Sequence, residues 1–316
     1  MRAPDFWQRS GTLPTLLSPL GVLYGMSVAF KAARAKPFDP GLPVICVGNL
    51  TAGGSGKTPV AIAVAGMLLA RGHRPYFLTR GYGGSEHGPA LATRGHSAAV
   101  MGDEALLLAR TAPTIVARDR AAGARLAKQK GATVLVMDDG HQNFVLRKRL
   151  SLVVVDAENG FGNGFQIPAG PLREPVARGL ARADAVVYVG DGAPDLKGYG
   201  GPVLRAHLRA DGAAFAGKTV FAFAGIGRPE KFIASLEAGG AHLTGSCFFP
   251  DHHPYTEDEI LELRMVAGDA ALVTTEKDFV RLTTAQRENI RVLKVAAVFD
   301  DKAAMDGLLD SALVSF

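Results

Sequence analysis

The stretch that decides the fold is residues 44–58, which read VICVGNLTAGGSGKT. Its first five residues form an apolar run of strand length, and Pro59 opens a helical pattern directly after the glycine-rich part. A strand, a glycine-rich loop, a Lys-Thr pair and a helix in this order are typical of loops that bind phosphate groups through backbone N–H groups. The pattern predicts a nucleotide site at the end of a buried strand.

Two side chains of this loop carry specific chemistry. The Lys57 ammonium can bridge the β- and γ-phosphate oxygens of a nucleotide, which makes it a candidate catalytic residue, and the Thr58 hydroxyl can ligate Mg²⁺. Thr51 stands where the usual motif has glycine, whereas the last three positions match. A glycine-rich turn with a chance Lys-Thr pair is the alternative, which the flanking strand and helix disfavour. The predicted nucleotide-binding residues are Thr51, Ala52, Gly53, Gly54, Ser55, Gly56, Lys57 and Thr58.

Strand-like and helix-like segments alternate around the loop. This alternation predicts an α/β fold with a P-loop NTPase-like, mostly parallel sheet and helices on both faces. Ligands of such sheets bind at the carboxyl ends of the strands. The predicted strands are 44–48, 76–79, 114–117, 134–137, 152–155 and 185–190, and the predicted helices are 59–70, 103–110 and 120–130.

A glycine- and proline-rich stretch at 190–202 predicts a boundary between two lobes. Beyond it, strands are predicted at 220–224, 271–274 and 292–298, and helices at 229–238 and 257–267. We therefore expect three segments. They are a membrane-interface helix at 1–36, a core with the phosphate loop at 37–200, and a smaller C-terminal α/β lobe at 201–316 that closes over the site.

Residues 133–142, TVLVMDDGHQ, read as an apolar strand that ends in two acids. A buried strand delivers such carboxylates to the sheet edge where the phosphate loop also opens. We expect Asp138 or Asp139 to hold Mg²⁺, directly or through water. Because neighbouring side chains of a strand point to opposite sides, both carboxylates need not touch one ion. Two acids that cap a turn are the alternative.

A proton acceptor is expected at Gly102-Asp103-Glu104, where a helical pattern begins. Asp103 is the candidate base, and a helix N-cap is its alternative role. In the C-terminal lobe, residues 249–254, FPDHHP, bring an acid and two histidines together on a predicted loop. Such a loop can close over the first lobe and tune a carboxylate, unless its acid only caps a helix beside solvated histidines.

Two further charged runs lie in predicted loops or strand ends. Glu174, within AGPLREP at 169–175, is a candidate for the metal shell. Thr275, Lys277 and Asp278, within TTEKD at 274–278, are candidates for nucleotide or substrate contacts. A salt-bridged turn explains this second run equally well.

An apolar segment at 15–30 precedes the phosphate loop and has basic residues on both sides. It is shorter than the ~20 apolar residues that span a bilayer and contains Pro19 and two glycines, which disfavours a transmembrane helix. One helical face is apolar, which favours a helix that lies in the membrane interface. Its residues are Leu16, Leu17, Leu20, Leu23 and Tyr24. A signal peptide is disfavoured by the basic residues around the tripeptide at 33–35, and packing on the protein's own core stays open.

Charge and cysteine count narrow the classes of partner. The net charge of +5 favours an anionic partner. The basic residues are scattered and the sequence has no helix-turn-helix, zinc-finger or aromatic RNA-binding motif, so no nucleic acid partner is expected. Two cysteines are too few for a disulfide framework and fit a reducing compartment. No feature of the sequence indicates an obligate protein partner.

Together these motifs resemble the tetraacyldisaccharide 4′-kinase (lipid A 4′-kinase) family, over nearly the whole chain. That family carries a small hydroxyl residue where Thr51 stands. The matching motifs are Gly48-Asn49-Leu50 with the phosphate loop, Thr79-Arg80-Gly81-Tyr82-Gly83, Gly102-Asp103-Glu104, Asp138-Asp139-Gly140-His141-Gln142, Pro171-Leu172-Arg173-Glu174, FAGIG at 223–227, Asp251-His252 and TEKD at 275–278.

The resemblance implies ATP- and Mg²⁺-dependent phosphorylation of the 4′-hydroxyl of a tetraacylated glucosamine disaccharide 1-phosphate. It also implies a peripheral or monotopic enzyme on the cytoplasmic face of a bacterial inner membrane. It assigns Asp103 as the base, paired with His252, and it places Asp138, Asp139 and Glu174 around the metal. The anionic lipid head group would be contacted by arginines. The residues expected at the substrate are Arg80, Arg118, Arg120, His141 and Gln142.

Two other P-loop classes are alternatives. A regulatory GTPase is disfavoured, because Asp139-Gly140 is not its Asp-x-x-Gly pattern and Lys277-Asp278 lacks the spacer of a guanine-reading motif. A membrane-associated positioning ATPase without a lipid acceptor has a more similar phosphate loop. That class carries an extra lysine where this chain has Ala52.

Overall fold

Strands and helices alternate through the computed structural model, which describes residues 4–93 and 95–314. The strands of this part are β1 Val44–Gly48, β2 Pro75–Thr79, β3 Ala90–Ala92, β4 Thr114–Val116, β5 Val134–Asp138, β6 Leu150–Asp156, β7 Ala185–Val189, β8 Val203–Ala210, β9 Thr219–Ala224, β10 His242–Phe248, β11 Ala271–Thr275, β12 Arg291–Leu293 and β13 Val295–Phe299. The helices are α1 Thr12–Arg34, α2 Lys57–Ala70, α3 Ala98–Met101, α4 Asp103–Leu108, α5 Arg120–Gln129, α6 Val176–Leu180, α7 Pro229–Ala238, α8 Glu257–Ala267, α9 Glu276–Phe279 and α10 Lys302–Leu313. Residues 1–3 of the predicted N-terminal segment and residues 315–316 of the predicted C-terminal lobe lie outside the described residues.

The larger sheet has the strand order β13-β8-β7-β6-β1-β5-β2-β4-β3. Its pairs are parallel except at the two edges, where β13 pairs with β8 and β3 pairs with β4 in antiparallel fashion. In the central strand β1, Ile45 and Val47 pack on the side of α2, and Val44 and Cys46 pack on the side of α5. Side chains of a strand alternate between its faces, so an entirely apolar β1 needs helices on both sides. The predicted mostly parallel sheet is confirmed.

The central strands bring two predicted motifs to one edge of this sheet. Strand β1 pairs with β5, and Val47 lies opposite Asp138 in the register. The phosphate loop follows β1 and the two acids end β5, so both leave the sheet at the carboxyl ends of neighbouring strands. The fold thus positions the loop and the carboxylates beside each other.

The smaller sheet is wholly parallel, with the order β10-β9-β11-β12. Helix α7 covers one face through Phe232 and Leu236, and helix α8 covers the other through Ile260 and Leu263. Both helices have the bounds expected from the sequence. The smaller C-terminal α/β lobe is therefore confirmed as an architectural unit.

The expected strand at 292–298 is wrong as a single element. The structure splits it at Lys294 into β12, which pairs in the smaller sheet, and β13, which pairs with β8 in the larger sheet. Helix α10 also packs on the larger sheet, through Met305 and Leu309. The boundary between the sheets therefore does not coincide with the expected division at residue 200. Sequence periodicity indicates β structure but not the partner strand, which is why the split was not predicted.

The chain leaves the larger sheet after β8 and returns to it at β13. At this point the Asp211 amide donates to the Lys294 carbonyl oxygen at 2.9 Å, beside the antiparallel pairing of Ala210 with Val295. The residues of the smaller sheet are thus connected to the larger sheet by two adjacent, paired strands. We call this connection the two-strand neck.

Helix α1 is longer than the expected 15–30 segment and packs through its small residues. Gly21 and Gly25 are buried, and a Cβ atom on Gly21 would lie 2.8 Å from the Gln166 carbonyl oxygen. Leu16, Leu20 and Leu23 are exposed on the other side, as expected for a helix with an unpacked apolar face. By length and composition alone α1 could also cross a membrane, which the sequence argument disfavoured.

Candidate active site

The phosphate loop turns sharply between β1 and α2. Gly56 adopts a left-handed conformation with φ of 84° and caps the N-terminus of α2, so Lys57 and Thr58 begin the helix. A side chain at Gly48 would collide with His141, because its Cβ would lie 2.6 Å from the His141 Cβ. The glycines therefore serve the turn and the close approach of the next segment.

Buried side chains hold this loop in place. Asn49 is fully buried, and its Nδ2 donates to the Ser55 hydroxyl at 3.0 Å across the loop. The Gln142 side-chain amide donates to the Asn49 carbonyl oxygen at 2.9 Å, and the Ala52 backbone amide donates to the Pro171 carbonyl oxygen at 2.7 Å. These contacts fix the shape of the loop.

Thr58 and Asp138 form a site suited to a cation. The Thr58 hydroxyl donates to Asp138 Oδ2 at 3.0 Å, while the buried Asp138 Oδ1 has no hydrogen-bond partner among the described residues. Burial and then the charge of Glu104 raise the pKa of Asp138 to about 7, partly offset by Lys57. A buried carboxylate oxygen without a donor, next to a hydroxyl, fits a hard divalent cation such as Mg²⁺.

Asp139 has a different environment from its neighbour. It follows β5 with a positive φ of 54° and lies 3.8 Å from the Lys57 ammonium. Arg173 donates to Asp139 Oδ1 at 2.7 Å. Burial opposes ionisation, but Lys57 and Arg173 outweigh it and hold the pKa of Asp139 below its usual range. Arg173 belongs to a recognised motif, yet the sequence did not assign it a role at the site.

Glu174 forms an ion pair with Arg182 and does not contact Asp138 or Asp139 among the described residues. Both of its carboxylate oxygens lie 2.7 Å from Arg182 Nη2, and the Gln142 amide donates to Oε1 at 3.0 Å. Among the described residues, no group of three or more His, Cys, Asp or Glu side chains is arranged to hold a metal ion. The structure thus does not gather Asp138, Asp139 and Glu174 into one metal cluster.

Asp103 and His252, separated by 149 residues, meet as expected. His252 Nδ1 lies 2.8 Å from Asp103 Oδ2, and Asp103 is buried at the start of α4. The hydrogen bond that His252 donates to Asp103 raises the pKa of His252, whose ring remains partly exposed. Burial would raise the pKa of Asp103, but His252 and Arg281 outweigh it and hold this pKa far below its usual range. Arg281 lies outside the motifs of the sequence and was not expected at this site.

The three predicted substrate arginines differ in exposure. Arg80 and Arg118 are exposed, whereas Arg120 is buried and donates through Nη1 to the Ala117 carbonyl oxygen. Arg120 Nε has no partner within residues 4–93 and 95–314. Burial and then the charge of Arg80 lower the pKa of Arg120 to about 10, against the opposing charge of Asp139. The positive charges of Arg80 and Arg120 therefore act on each other.

His141 and Gln142, which were expected at the substrate, form hydrogen bonds within the protein. His141 is buried, and its ring nitrogens lie 2.9 Å from the Gly179 carbonyl oxygen and 3.1 Å from the Ser151 hydroxyl. Burial lowers the pKa of His141 to about 3, so the ring is neutral. Gln142 spans Asn49 and Glu174. Gln142 thereby supports the phosphate loop through Asn49, whereas the His141 ring is held by Gly179 and Ser151.

The charged run at 274–278 mainly forms contacts within the protein. Asp278 is fully buried and accepts hydrogen bonds from the Gly225 amide and the Tyr255 hydroxyl, both at 2.9 Å. The Thr275 hydroxyl donates to Asp278 Oδ2 at 2.6 Å. Lys277 lies 3.6 Å from Glu104 across the two lobes. The alternative of a salt-bridged turn fits Thr275 and Asp278 better than a nucleotide contact.

Comparison with known proteins identifies the family. A family model described as tetraacyldisaccharide-1-P 4′-kinase matches residues 13–314. The chain belongs to the tetraacyldisaccharide 4′-kinase family. Proteins named tetraacyldisaccharide 4′-kinase from Paramagnetospirillum magneticum and Rhodospirillum rubrum are 51% and 48% identical to it over 319 and 327 residues. These alignments cover 98% and 99% of this chain and 98% of each relative.

A solved structure supports the same assignment. The LpxK protein of Aquifex aeolicus, crystallised in complex with ATP, superposes with a TM-score of 0.78 at 25% sequence identity, covering 96% of this chain and 100% of that one. The tetraacyldisaccharide 4′-kinase family is a family of ATP-using kinases, so the chain is an enzyme of this type. A positioning ATPase without a lipid acceptor is not favoured.

Proposed function

We propose that this chain transfers the γ-phosphate of ATP to the 4′-hydroxyl of a tetraacylated glucosamine disaccharide 1-phosphate, a step of lipid A biosynthesis. One observation carries the assignment of roles: the phosphate loop meets the buried carboxylate of Asp138 at the end of β5. Thr58 of the loop donates to Asp138. The pKa of Asp138 is raised mainly by burial and next by the negative charge of Glu104, which is the neighbour of Asp103. Nucleotide, cation and proton acceptor are thereby assigned to one edge of the larger sheet.

The proposed reaction uses the side chains as follows. The oxygen of the acceptor hydroxyl forms a bond to the γ-phosphorus, and the bond from this phosphorus to the β–γ bridging oxygen breaks, with its electron pair leaving on ADP. The hydroxyl proton passes to Asp103, which His252 orients. Lys57 stabilises the charge on the β- and γ-phosphate oxygens. Thr58 and Asp138 would hold Mg²⁺, which neutralises phosphate charge when bound.

We also propose that the smaller lobe closes over the loop and that the substrate arrives from a membrane surface. Arg228 of the smaller lobe donates to the Gly54 carbonyl oxygen of the phosphate loop at 3.4 Å, which supports a closed arrangement. The exposed leucines of α1, followed by Lys31 and Arg34, suit the interface of an anionic leaflet. A peripheral position on the cytoplasmic face of a bacterial inner membrane follows from this proposal, with Arg80, Arg118 and Arg120 near the lipid head group.

The decisive experiment measures transfer of labelled γ-phosphate from MgATP to the tetraacylated disaccharide 1-phosphate in detergent. Lys57→Ala is the test variant, and removal of one such phosphate contact is expected to lower kcat by ~10²–10³-fold. Lys128→Ala is the matched control, because Lys128 donates to the carbonyl oxygens of Pro40 and Gly41 away from the loop. ATP hydrolysis without lipid phosphorylation in the unaltered protein would reject the proposed reaction.

A further inference from the structure

We propose that Arg281 is a positioning residue for phosphoryl transfer, which fixes the orientation and the charge of the Asp103 carboxylate from the opposite lobe. The inference rests on the proposed role of Asp103 as proton acceptor. It extends that role to a residue 178 positions away in the chain. Arg281 touches no reacting atom, so its effect passes through Asp103.

All three nitrogen atoms of the Arg281 guanidinium are bonded. Nη2 and Nε donate to Asp103 Oδ2 at 2.7 and 3.1 Å. Nη1 donates to Asp278 Oδ1 and to the Gly225 carbonyl oxygen, each at 2.8 Å. Only 4% of the Arg281 side chain is exposed, so water does not screen these contacts effectively. A planar guanidinium bonded along two edges has no freedom to rotate.

The anchor of Arg281 is itself rigid. Asp278 is fully buried and accepts from the Tyr255 hydroxyl and the Gly225 amide at the same oxygen that faces Arg281. These partners belong to the smaller lobe. The orientation of Arg281 is consequently set by that lobe, while the carboxylate that it holds belongs to the larger one.

This arrangement makes the two oxygens of Asp103 unequal. Oδ2 accepts from His252 Nδ1 and from two nitrogens of Arg281. Oδ1 accepts the Glu104 amide at 2.9 Å, and among the described residues this is its single hydrogen bond. A carboxylate oxygen has two lone pairs, so Oδ1 retains one for the acceptor hydroxyl. Arg281 thus determines which oxygen is available and where it points.

The charges that face Asp103 come from three segments. Arg281 follows α9, His252 lies on the loop after β10 with Asp251 3.8 Å from its ring, and Glu104 shares α4 with Asp103. Lys277 lies 3.6 Å from Glu104 and offsets its charge. Arg281 is the permanently charged group in direct contact with Asp103. Its removal should therefore make the carboxylate easier to protonate.

The test measures kcat and KM for lipid phosphorylation by the full chain with MgATP at neutral pH. Replacing Arg281 with Gln removes the contacts that orient the Asp103 carboxylate, so we expect kcat to be ~10–100-fold lower and KM for ATP to stay within ~2-fold of the unaltered enzyme. In Arg281→Lys the positive charge remains and the planar fork is lost, so kcat should be only partly restored.

The matched control is Arg287→Gln. Arg287 lies on the same segment and donates to the carbonyl oxygens of Phe279 and Val280, so its loss should leave kcat within ~2-fold of the unaltered enzyme. A second test combines each Arg281 substitution with Asp103→Asn. If Arg281 acts through Asp103, the double variants should have the kcat of Asp103→Asn alone, because removing the positioning residue has no further effect.

Three outcomes would overturn the inference. A folded Arg281→Gln enzyme with the kcat of the unaltered protein would show that Arg281 does not position the base. Multiplicative losses of kcat in the double variants would show a purely structural role. If the melting curve shows that Arg281→Gln does not fold, the double variant of Arg281→Lys with Asp103→Asn provides the same test, and multiplicative losses of kcat there would overturn the inference. Near-normal kcat in Asp103→Asn would instead reject the proposed base, whatever the Arg281 variants show.

Discussion

The Arg228 guanidinium lies 2.7 Å from Asp156 Oδ2, at the end of β6, and links the smaller lobe to the phosphate-loop edge of the larger sheet. The same nitrogen reaches the carbonyl oxygen of Gly54. Burial opposes ionisation of Asp156, but the hydrogen bond from Arg228 outweighs it and lowers the pKa of this carboxyl. The smaller lobe is therefore held to the catalytic edge at two places, through Arg228 and through the contacts with Asp103.

The first prediction concerns this ion pair. Arg228→Ala should raise KM for ATP by ~3–10-fold and change kcat by less than ~2-fold, because the smaller lobe then no longer holds the phosphate loop. Steady-state kinetics with varied MgATP measure both constants. Lys231→Ala is the matched control: Lys231 pairs with Glu158 at 2.8 Å in an exposed position, where an ion pair contributes little. Equal changes of KM in the two variants would contradict a role for Arg228 at the loop.

The second prediction separates the members of the Asp103–His252 pair. Asp103→Ala should lower kcat by ~10²–10⁴-fold, the usual contribution of a general base, and His252→Asn by a smaller factor of ~10, since His252 only orients the carboxylate. Asparagine is chosen because His252 has a φ of 63°, which asparagine tolerates better than alanine. Single-turnover phosphate transfer measures these losses. If His252→Asn lowered kcat more than Asp103→Ala, His252 would be the proton acceptor and Asp103 the residue that orients it.

The third prediction follows from the raised pKa of His252. Because this pKa in the folded state lies above the unfolded value of ~6.5, the protonated histidine stabilises the fold fully below that pH, and the contribution is lost as the pH rises through the folded-state pKa. The melting temperature of the unaltered protein should therefore fall more between pH 6 and pH 9 than that of His252→Asn. Calorimetry at both pH values measures the difference. Parallel curves for the two proteins would show that the pair with Asp103 does not contribute.

The fourth prediction tests the membrane face of α1. Replacing Leu16, Leu20 and Leu23 with serine should lower binding to vesicles of anionic phospholipid by at least ~10-fold, because each buried leucine contributes ~1.5–3 kcal/mol when fully removed from water. Cosedimentation with vesicles measures binding, and phosphate transfer in detergent checks that the site is intact.

A control on another helix makes this test specific. Leu261, Met265 and Val266 on α8 are also exposed, at 52%, 75% and 69% of their surface. Their replacement with serine removes a comparable apolar area and should leave vesicle binding unchanged. Equal losses in both triple variants would assign the effect to general surface hydrophobicity rather than to α1.

The sequence predicted the parts of the site that are contiguous in the chain. The phosphate loop could be placed because β1, the glycines and α2 follow one another, and the acids after β5 could be placed because neighbouring parallel strands end at one edge. The Asp103–His252 pair came from the family resemblance, since no local pattern joins residues on different lobes.

Arg281 shows why the rest could not be predicted. Its partners Asp103 and Asp278 define its role, and the first of these lies across the contact between the lobes. His141 shows how packing directs a polar side chain that was expected at the substrate. Its backbone and Cβ lie against Gly48, where a side chain would collide with them, and its ring is buried. Sequence indicates residue chemistry, but the direction of a side chain after a tight turn depends on what the turn packs against.

The two-strand neck restricts how the smaller lobe can move. Both connections lie side by side, with Ala210 paired to Val295, so neither can shift without breaking hydrogen bonds to the other. Translation along the larger sheet or twisting of one connection alone would disrupt this pairing, whereas rotation about the neck would not. A motion of the smaller lobe that preserves this pairing would be a rotation about the neck, and in such a rotation the contacts made by Arg228 and Arg281 would form and break together.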